Sequence, residues 1–192
     1  RLARAVTDAM QQLGMLGGRF EVKLQNNAQP AQGGLEEVSF LVAGHAGITP
    51  RPVAKVASGG ELSRIALAIA VTTSRLGAAQ TLIFDEVDAG VGGAVAQSVG
   101  RLMKQLGQDR QVMAVTHLPQ VAACGDHHLL VAKQLVEGMT ASSVLHVAGA
   151  ARISEIARML GGEVGTPASL AHAREMLEGG QDGAAVLEDT GK

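Results

Sequence analysis

Two short segments of this sequence carry residue types that suit phosphate and metal chemistry. The first is Ser58-Gly59-Gly60-Glu61, which stands directly before a helical apolar run. A Ser followed three residues later by a Glu predicts a capped helix start, where free N–H groups and the helix dipole attract an anion. The two glycines would let another group approach those amides closely. A well-capped helix explains the Ser and the Glu equally well, but not glycines that weaken its first turn.

The second segment is Thr81-Leu82-Ile83-Phe84-Asp85-Glu86, an apolar strand that ends in two carboxylates. Such a strand resembles the Walker B element of P-loop-type ATPases, in which the first carboxylate would help hold Mg²⁺ through its water shell and the second would orient or deprotonate the attacking water. A solvated turn has the same composition. A third candidate, His117, follows another apolar strand, where a lone His is usually structural.

The order of elements relates these candidates to one another. After Ser58 the pattern alternates between helices and strands, at 60–75, 81–84, 94–106 and 111–116. Apolar strands joined by one crossover helix predict a parallel sheet buried on both faces. The carboxyl ends of parallel strands share one sheet edge, where open α/β folds bind ligands. We therefore expect Asp85, Glu86 and His117 to converge.

The remaining elements complete an α/β fold. Residues 2–13 predict an amphipathic helix closed by Gly14, and alternation predicts an antiparallel strand pair at 20–24 and 38–42, around a polar loop at 26–34. Downstream, the pattern predicts strands at 128–133 and 142–147, then helices at 153–160 and 167–177, the second capped by Thr166. The glycine-rich tail from Gly179 is expected to fray.

Composition excludes several classes of protein. The 192 residues are 46% hydrophobic and 18% charged, which excludes a disordered chain or a coiled coil. A net charge of −2 creates no field toward nucleic acid or an anionic membrane, and no apolar run approaches the ~18 residues of a membrane span. The single cysteine, Cys124, suits a reducing compartment. No spacing of His and Cys predicts a zinc site.

The three candidate segments, in this order, resemble the carboxyl-terminal half of an ABC ATPase head of the SMC-like branch. Within that branch, residues 56–64, 84–91 and 115–122 look like the RecN family of bacterial DNA repair proteins, and residues 156–160 with the helix around His172 are similar too. The resemblance covers roughly residues 16–178.

The resemblance implies a role for each candidate residue. Asp85 would position Mg²⁺ through water, Glu86 would be the catalytic base, and His117 would be a switch histidine at the γ-phosphate. The segment 58–61 would be the signature motif, which reaches ATP bound by a second head. The sequence contains no Gly-x-x-x-x-Gly-Lys-Ser/Thr phosphate loop, so the N-terminal ATPase lobe of the same protein would supply it. Alone, this chain would be inactive.

The same resemblance implies an organisation and a cellular role. Residues 1–13 would leave a coiled-coil arm, residues 14–178 would form the C-terminal head lobe, and residues 179–192 would be a flexible tail. Because the sequence opens on Arg1, we expect a longer protein. Two such heads would form an ATP-dependent homodimer that engages DNA in double-strand-break repair and recombination. The expected location is the cytoplasm, at the nucleoid, and no membrane partner is expected.

One loop departs from the SMC pattern. SMC-type heads usually carry an Asp at the end of the loop that follows the carboxylate pair, the D-loop, where this sequence has Gly92; Asp88 stands earlier in the loop. This departure favours the RecN family. Two alternatives stay open: another SMC-like chromosome-organising ATPase, or a scaffold head that does not hydrolyse ATP. The intact Asp85-Glu86 pair argues against the scaffold.

Overall fold

The computed structural model describes residues 1–31, 33–56, 58–74, 79–136, 139–161 and 165–181. The chain divides into two compact units, Arg1–Thr116 and His117–Lys192. The boundary falls inside the range 14–178, for which the sequence predicts a single lobe. Among the described residues, no helix combines the length and the hydropathy that a membrane crossing requires.

Among its described residues, the first unit contains three α-helices and two small sheets. In chain order its elements are α1 (Leu2–Gln12), β1 (Arg19–Ala31), β2 (Gly34–Ala43), β3 (Arg51–Pro52), a short 3-10 helix (Val53–Lys55), α2 (Gly59–Thr72), β4 (Thr81–Phe84), α3 (Gly93–Leu106) and β5 (Gln111–Ala114). Its core is mainly aliphatic, and α1, α2 and α3 contribute Met10, Ile65 and Val99 to it, each nearly fully buried.

The antiparallel pair β1–β2 is confirmed and is longer than predicted. Phe20 pairs with Val42, Val22 with Phe40 and Leu24 with Val38, so these side chains share one face. Pairing is irregular after Asn26 but is present again where Ala31 meets Gly34. The predicted polar loop at 26–34 was therefore largely wrong, because polar residues can continue a strand pair whose faces are both open to water.

The strands β4 and β5 are parallel, in the register Thr81–Gln111 to Phe84–Ala114, as predicted. The expectation that both faces are buried was wrong. Ile83 is 68% exposed, Met113 42% and Val115 61%, while Phe84 on the other face is buried. An apolar strand predicts burial but cannot say which segment covers it, and the described residues cover one face only.

The second unit contains α4 (Pro119–Cys124), the antiparallel pair β6 (His128–Val136) and β7 (Met139–Val147), and the helices α5 (Gly149–Met159) and α6 (Pro167–Gln181). Its small core joins α4, α5 and α6 through Ala123, Ile156, Ala157 and Ala173. The predicted cap of α6 is present, since the Ser169 amide donates to Thr166 Oγ1 at 3.2 Å. Helix α4 has no counterpart in the sequence prediction.

The last helix extends past the predicted start of the tail. Gly179, Gly180 and Gln181 are helical, so the boundary at Gly179 was wrong. Gly180 is buried, and a Cβ added there would lie 2.7 Å from the Ala123 carbonyl oxygen, which shows how closely α6 meets α4. The rest of the predicted tail, residues 182–192, lies outside the described residues.

Candidate functional site

Helix α2 begins as the sequence predicts, with Ser58 as its N-cap. Ser58 has an extended backbone, and its Oγ accepts a hydrogen bond from the Glu61 amide at 3.3 Å. The Glu61 carboxylate lies beside the loop before β3, with Oε1 3.4 Å from His45 Nε2. The Ser half of the predicted capping box is confirmed, and the Glu side chain has a second partner that sequence spacing could not indicate.

The two glycines at the start of α2 allow close contact with the chain's own loop after β4. A Cβ added at Gly60 would lie 3.0 Å from Ala89 Cβ, 3.1 Å from the Ala89 carbonyl oxygen and 3.2 Å from the Glu86 carbonyl oxygen. A Cβ at Gly59 would overlap Glu86 Oε2. A close contact within the chain therefore explains why residues 59 and 60 are glycines, in addition to the approach of a ligand that the sequence suggests. The start of α2 and the loop that carries the carboxylate pair are therefore in direct contact.

The two carboxylates at the end of β4 differ in their bonding. Both residues are exposed. Asp85 Oδ1 accepts a hydrogen bond from the Glu86 amide at 2.9 Å, and the Asp85 carbonyl accepts one from Ser63 Oγ at 2.6 Å. Glu86 has a φ of 54°, the one non-glycine with positive φ within the described residues. Its surroundings must hold that conformation, because an L-residue there is strained.

The predicted D-loop residues occupy two different environments. Asp88 is only 2% exposed, and Thr116 Oγ1 donates a hydrogen bond to its Oδ2. Asp88 thereby links the loop after β4 to the residues after β5. Gly92 is exposed and is the N-cap of α3, with an extended backbone that any residue could adopt. The cross-dimer role suggested for these two residues stays a prediction.

Sequence reasoning missed Arg64, which is central to the site. Arg64 lies on α2, one turn after Gly60, and is only 8% exposed. Its Nη1 donates to the Ala89 carbonyl at 2.8 Å. Burial lowers the pKa of Arg64, and the Glu61 charge partly offsets that effect. A lone arginine directly before the apolar run 65–71 is the signal that could have revealed it, because a buried charge needs a partner.

The structure places His117 at the start of the second unit, directly after Thr116. Within the first unit it brings together Ser58, Gly59, Gly60, Asp85 and Glu86. Convergence of His117 with the carboxylates stays a prediction.

The donor chemistry of this site fits Mg²⁺ with a phosphate ligand. Asp85 and Glu86 are exposed carboxylates at a strand end. Mg²⁺ commonly takes one or two protein carboxylates and keeps waters or substrate phosphates as its other ligands. Within the described ranges, no group of three or more His, Cys, Asp or Glu could hold a metal alone. The two carboxylates suit an ion whose other ligands are waters or phosphate oxygens.

Comparison with known proteins gives high identity to one group of sequences. The chain is 45% identical over 177 residues to the DNA repair protein RecN of Vibrio cholerae, covering 92% of this chain and 32% of that protein. It is 47% identical over 163 residues to the DNA repair protein RecN of Xylella fastidiosa, strain Temecula1, covering 84% and 29%. No family model matches. The chain spans about a third of the length of the curated relatives it matches.

Solved structures agree on the fold. An Smc head domain with a coiled coil and joint from Pyrococcus yayanosii has a TM-score of 0.56 at 21% identity, covering 93% of this chain and 28% of that one. An Smc head domain from Pyrococcus furiosus, bound to the C-terminal domain of ScpA, has a TM-score of 0.53 at 22% identity, covering 76% and 34%. The chain shares the mixed α/β fold of SMC head domains, and its sequence is similar to the carboxyl-terminal portion of RecN proteins.

Proposed function

We propose that this chain is the carboxyl-terminal lobe of an ATP-hydrolysing head in a RecN-like protein of DNA double-strand-break repair and recombination. The observation that carries the proposal is the contact between the start of α2 and Glu86. It joins an amide-lined anion site to a carboxylate pair that suits Mg²⁺. Neither feature alone distinguishes a hydrolase from a well-capped helix, but their contact places a phosphate-binding segment for one nucleotide beside a proton-accepting group for another.

The residues divide the work of hydrolysis. Mg²⁺ bound with ATP would neutralise charge on the phosphates. Asp85 would hold that ion through water, and Glu86 would accept a proton from the attacking water. The amides of Gly59 and Gly60 would meet the phosphate of ATP held by a second head, and His117 would donate a hydrogen bond to the γ-phosphate. ATP-driven dimerization is named for SMC ATPases whose fold this chain shares, at a TM-score of 0.52.

The first partner in this proposal is the N-terminal ATPase lobe of the same protein. The sequence has no phosphate loop, so we expect the chain alone neither to bind nor to hydrolyse ATP appreciably. The exposed apolar face of Ile83, Met113 and Val115 supports a covering lobe, because a buried parallel sheet needs cover on both faces. DNA is the further partner in this proposal. The protein would therefore be located in the cytoplasm, at the nucleoid.

The alternatives have less support. RecN proteins share 40 to 47% identity with this chain, whereas the SMC heads above share 20 to 22%. That difference favours RecN over a chromosome-organising SMC protein. The exposed Asp85-Glu86 pair favours hydrolysis over a scaffold.

The experiment that tests the proposal places a cation in the anion site. In the complete protein, we expect Ser58→Arg to abolish ATP-dependent head association, measured by light scattering, while ATP binding survives. A matched control is Thr166→Arg, which puts the same cation at the N-cap of α6 and removes a similar cap. Normal association of the Ser58→Arg protein would reduce Ser58 to a helix cap.

A further inference from the structure

Two side chains of α2 bond the backbone on either side of Glu86. Ser63 Oγ donates to the Asp85 carbonyl at 2.6 Å, and Arg64 Nη1 donates to the Ala89 carbonyl at 2.8 Å. Asp85 precedes Glu86 by one residue and Ala89 follows it by three. The two hydrogen bonds therefore hold both ends of the short segment that contains Glu86.

The segment between these bonds needs such support. Glu86 has a φ of 54°, a region that an L-residue adopts only when its surroundings over-determine it. Gly60 also contacts this segment, because a Cβ added there would lie 3.2 Å from the Glu86 carbonyl oxygen and 3.1 Å from that of Ala89. Together, Gly60, Ser63 and Arg64 form a surface of α2 that fits one backbone conformation of this loop.

Arg64 is an unusual residue for a helix that is otherwise apolar in this stretch. It is followed by Ile65, Leu67 and Ala68, all of them buried. Its Nε is buried and has no hydrogen-bond partner among the described residues. Packing alone would favour an apolar side chain here, because a buried guanidinium pays for its lost hydration. The bond to Ala89 is a specific reason for an arginine.

We infer that Ser63 and Arg64 are positioning residues for hydrolysis, which hold the loop after β4 in the conformation that places Glu86. The inference rests on the proposed function. It gives α2 two roles in one rigid element: its start meets the phosphate of ATP on the partner head, and its second turn sets the base of its own head. Engagement of one nucleotide is thereby coupled to the carboxylate that serves the other.

The test is a double-mutant cycle in the complete protein. Arg64→Met keeps length and apolar contact but removes the donor. We expect kcat for ATP hydrolysis to fall about 10- to 100-fold, the scale of a misplaced catalytic group, with KM for ATP little changed. Ser63→Ala should lower kcat about three- to tenfold, as for one lost hydrogen bond. In a Glu86→Gln background, neither substitution should lower kcat further, because the group that they position no longer acts.

Arg110 provides the matched control. It also donates to backbone carbonyls, those of Ala79, at 3.2 Å, and Ser74, but at the amino end of β4. Arg110→Met removes bonds of the same kind from the same unit, so it should lower thermal stability without lowering kcat. Arg64→Lys, which restores a charged donor without the planar fork, should recover part of the lost rate.

The outcomes separate the inference from the function on which it rests. If Glu86→Gln is slow and Arg64→Met lowers kcat by the same factor in both backgrounds, Arg64 acts independently of Glu86 and the inference is overturned alone. If kcat is unchanged in both Arg64→Met and Ser63→Ala, the inference is likewise overturned and the proposed function is not. If Glu86→Gln hydrolyses ATP at the normal rate, the base assignment fails and the inference fails with it. If Arg64→Met does not fold, the double-mutant cycle is measured with Ser63→Ala and Glu86→Gln.

Discussion

The carboxylate of Glu86 lies against the backbone of Gly59, so closely that a side-chain carbon at residue 59 would overlap Glu86 Oε2. In this conformation the proposed base rests on the amide-rich start of the helix that carries the signature segment. The contact is possible because residue 59 has no side chain. The local chemistry of the site therefore depends on a glycine as much as on the two carboxylates.

Alanine at the two glycines should separate catalysis from stability. Gly59→Ala meets only the flexible end of Glu86, so we expect stability within about 0.5 kcal/mol of the parent and a fall in the rate of ATP hydrolysis by the complete protein. Gly60→Ala meets backbone atoms of Glu86 and Ala89 at 3.1–3.2 Å, and overpacking of this kind costs about 1–3 kcal/mol. Calorimetry and steady-state kinetics on both variants test the contrast, which equal melting temperatures would contradict.

The two carboxylates should respond differently to amide substitution. In the complete protein, Glu86→Gln cannot accept a proton, so hydrolysis should fall by roughly 10²–10⁴-fold while ATP binding survives and an ATP-bound head dimer accumulates. Asp85→Asn weakens the charge that holds Mg²⁺, so metal-dependent binding and turnover should both fall. Calorimetric ATP titration with single-turnover kinetics measures the difference. Equal loss in both, without an accumulated dimer, would move the base to another group such as His117.

The hydrogen bond from Thr116 to buried Asp88 should matter for stability. Thr116→Val keeps the shape but removes a donor from a buried carboxylate, at a cost of about 1–3 kcal/mol. A matched control is Thr81→Val, which removes the exposed 3.0 Å bond from Thr81 Oγ1 to Gln111 and should cost about 0.5 kcal/mol. Amide hydrogen exchange in β4 and β5 compares the two variants. Equal exchange rates would mean that Asp88 does not depend on Thr116.

The second unit should lose stability as the pH falls below 6.5. Burial lowers the pKa of His128 from its ordinary value of 6.5, and the charge of Arg152 lowers it further. The unfolded state then binds more protons in the window between the folded pKa and 6.5, so stability is complete above 6.5 and declines as the pH falls through that window. Amide exchange in α5 between pH 7.5 and 5 measures the slope. His128→Gln should remove it, whereas His127→Gln, at the exposed neighbour, should not.

Glu155 should act in a separate, more acidic window. Two hydrogen bonds from Arg158, at 2.6 and 2.8 Å, lower the pKa of Glu155 below its ordinary value of 4.5. Its stabilisation is present above 4.5 and is lost as the pH falls through the folded pKa. When the exchange profile of α5 is extended below pH 4.5, Glu155→Gln should therefore flatten its acid side and leave the slope just below pH 6.5 in place. A loss of both slopes would show that Glu155 and His128 titrate as one unit.

Most of the local elements of this protein follow from its sequence, although helix α4 was not predicted. Period-two alternation placed Phe20, Val22 and Leu24 on one face of a strand, and the structure pairs them with Val42, Phe40 and Val38. One crossover helix between two apolar runs predicted the parallel pair β4–β5. That prediction was confirmed because connections between neighbouring strands are short and the crossover between parallel strands is right-handed. The helix caps at Ser58 and Thr166 could be predicted because each capping hydrogen bond joins a residue to the amide three residues later.

Contacts between distant residues were decided only by the tertiary structure. The sequence identified the segments around Ser58 and Asp85 as candidates, but not that Ser63 and Arg64 would bond the loop of Glu86 from a helix more than twenty residues away. Spacing along a chain determines which side chains share a helix face or a strand end. It does not determine which carbonyl a long, flexible guanidinium reaches, because that depends on how closely two elements approach, and here Gly60 sets the approach.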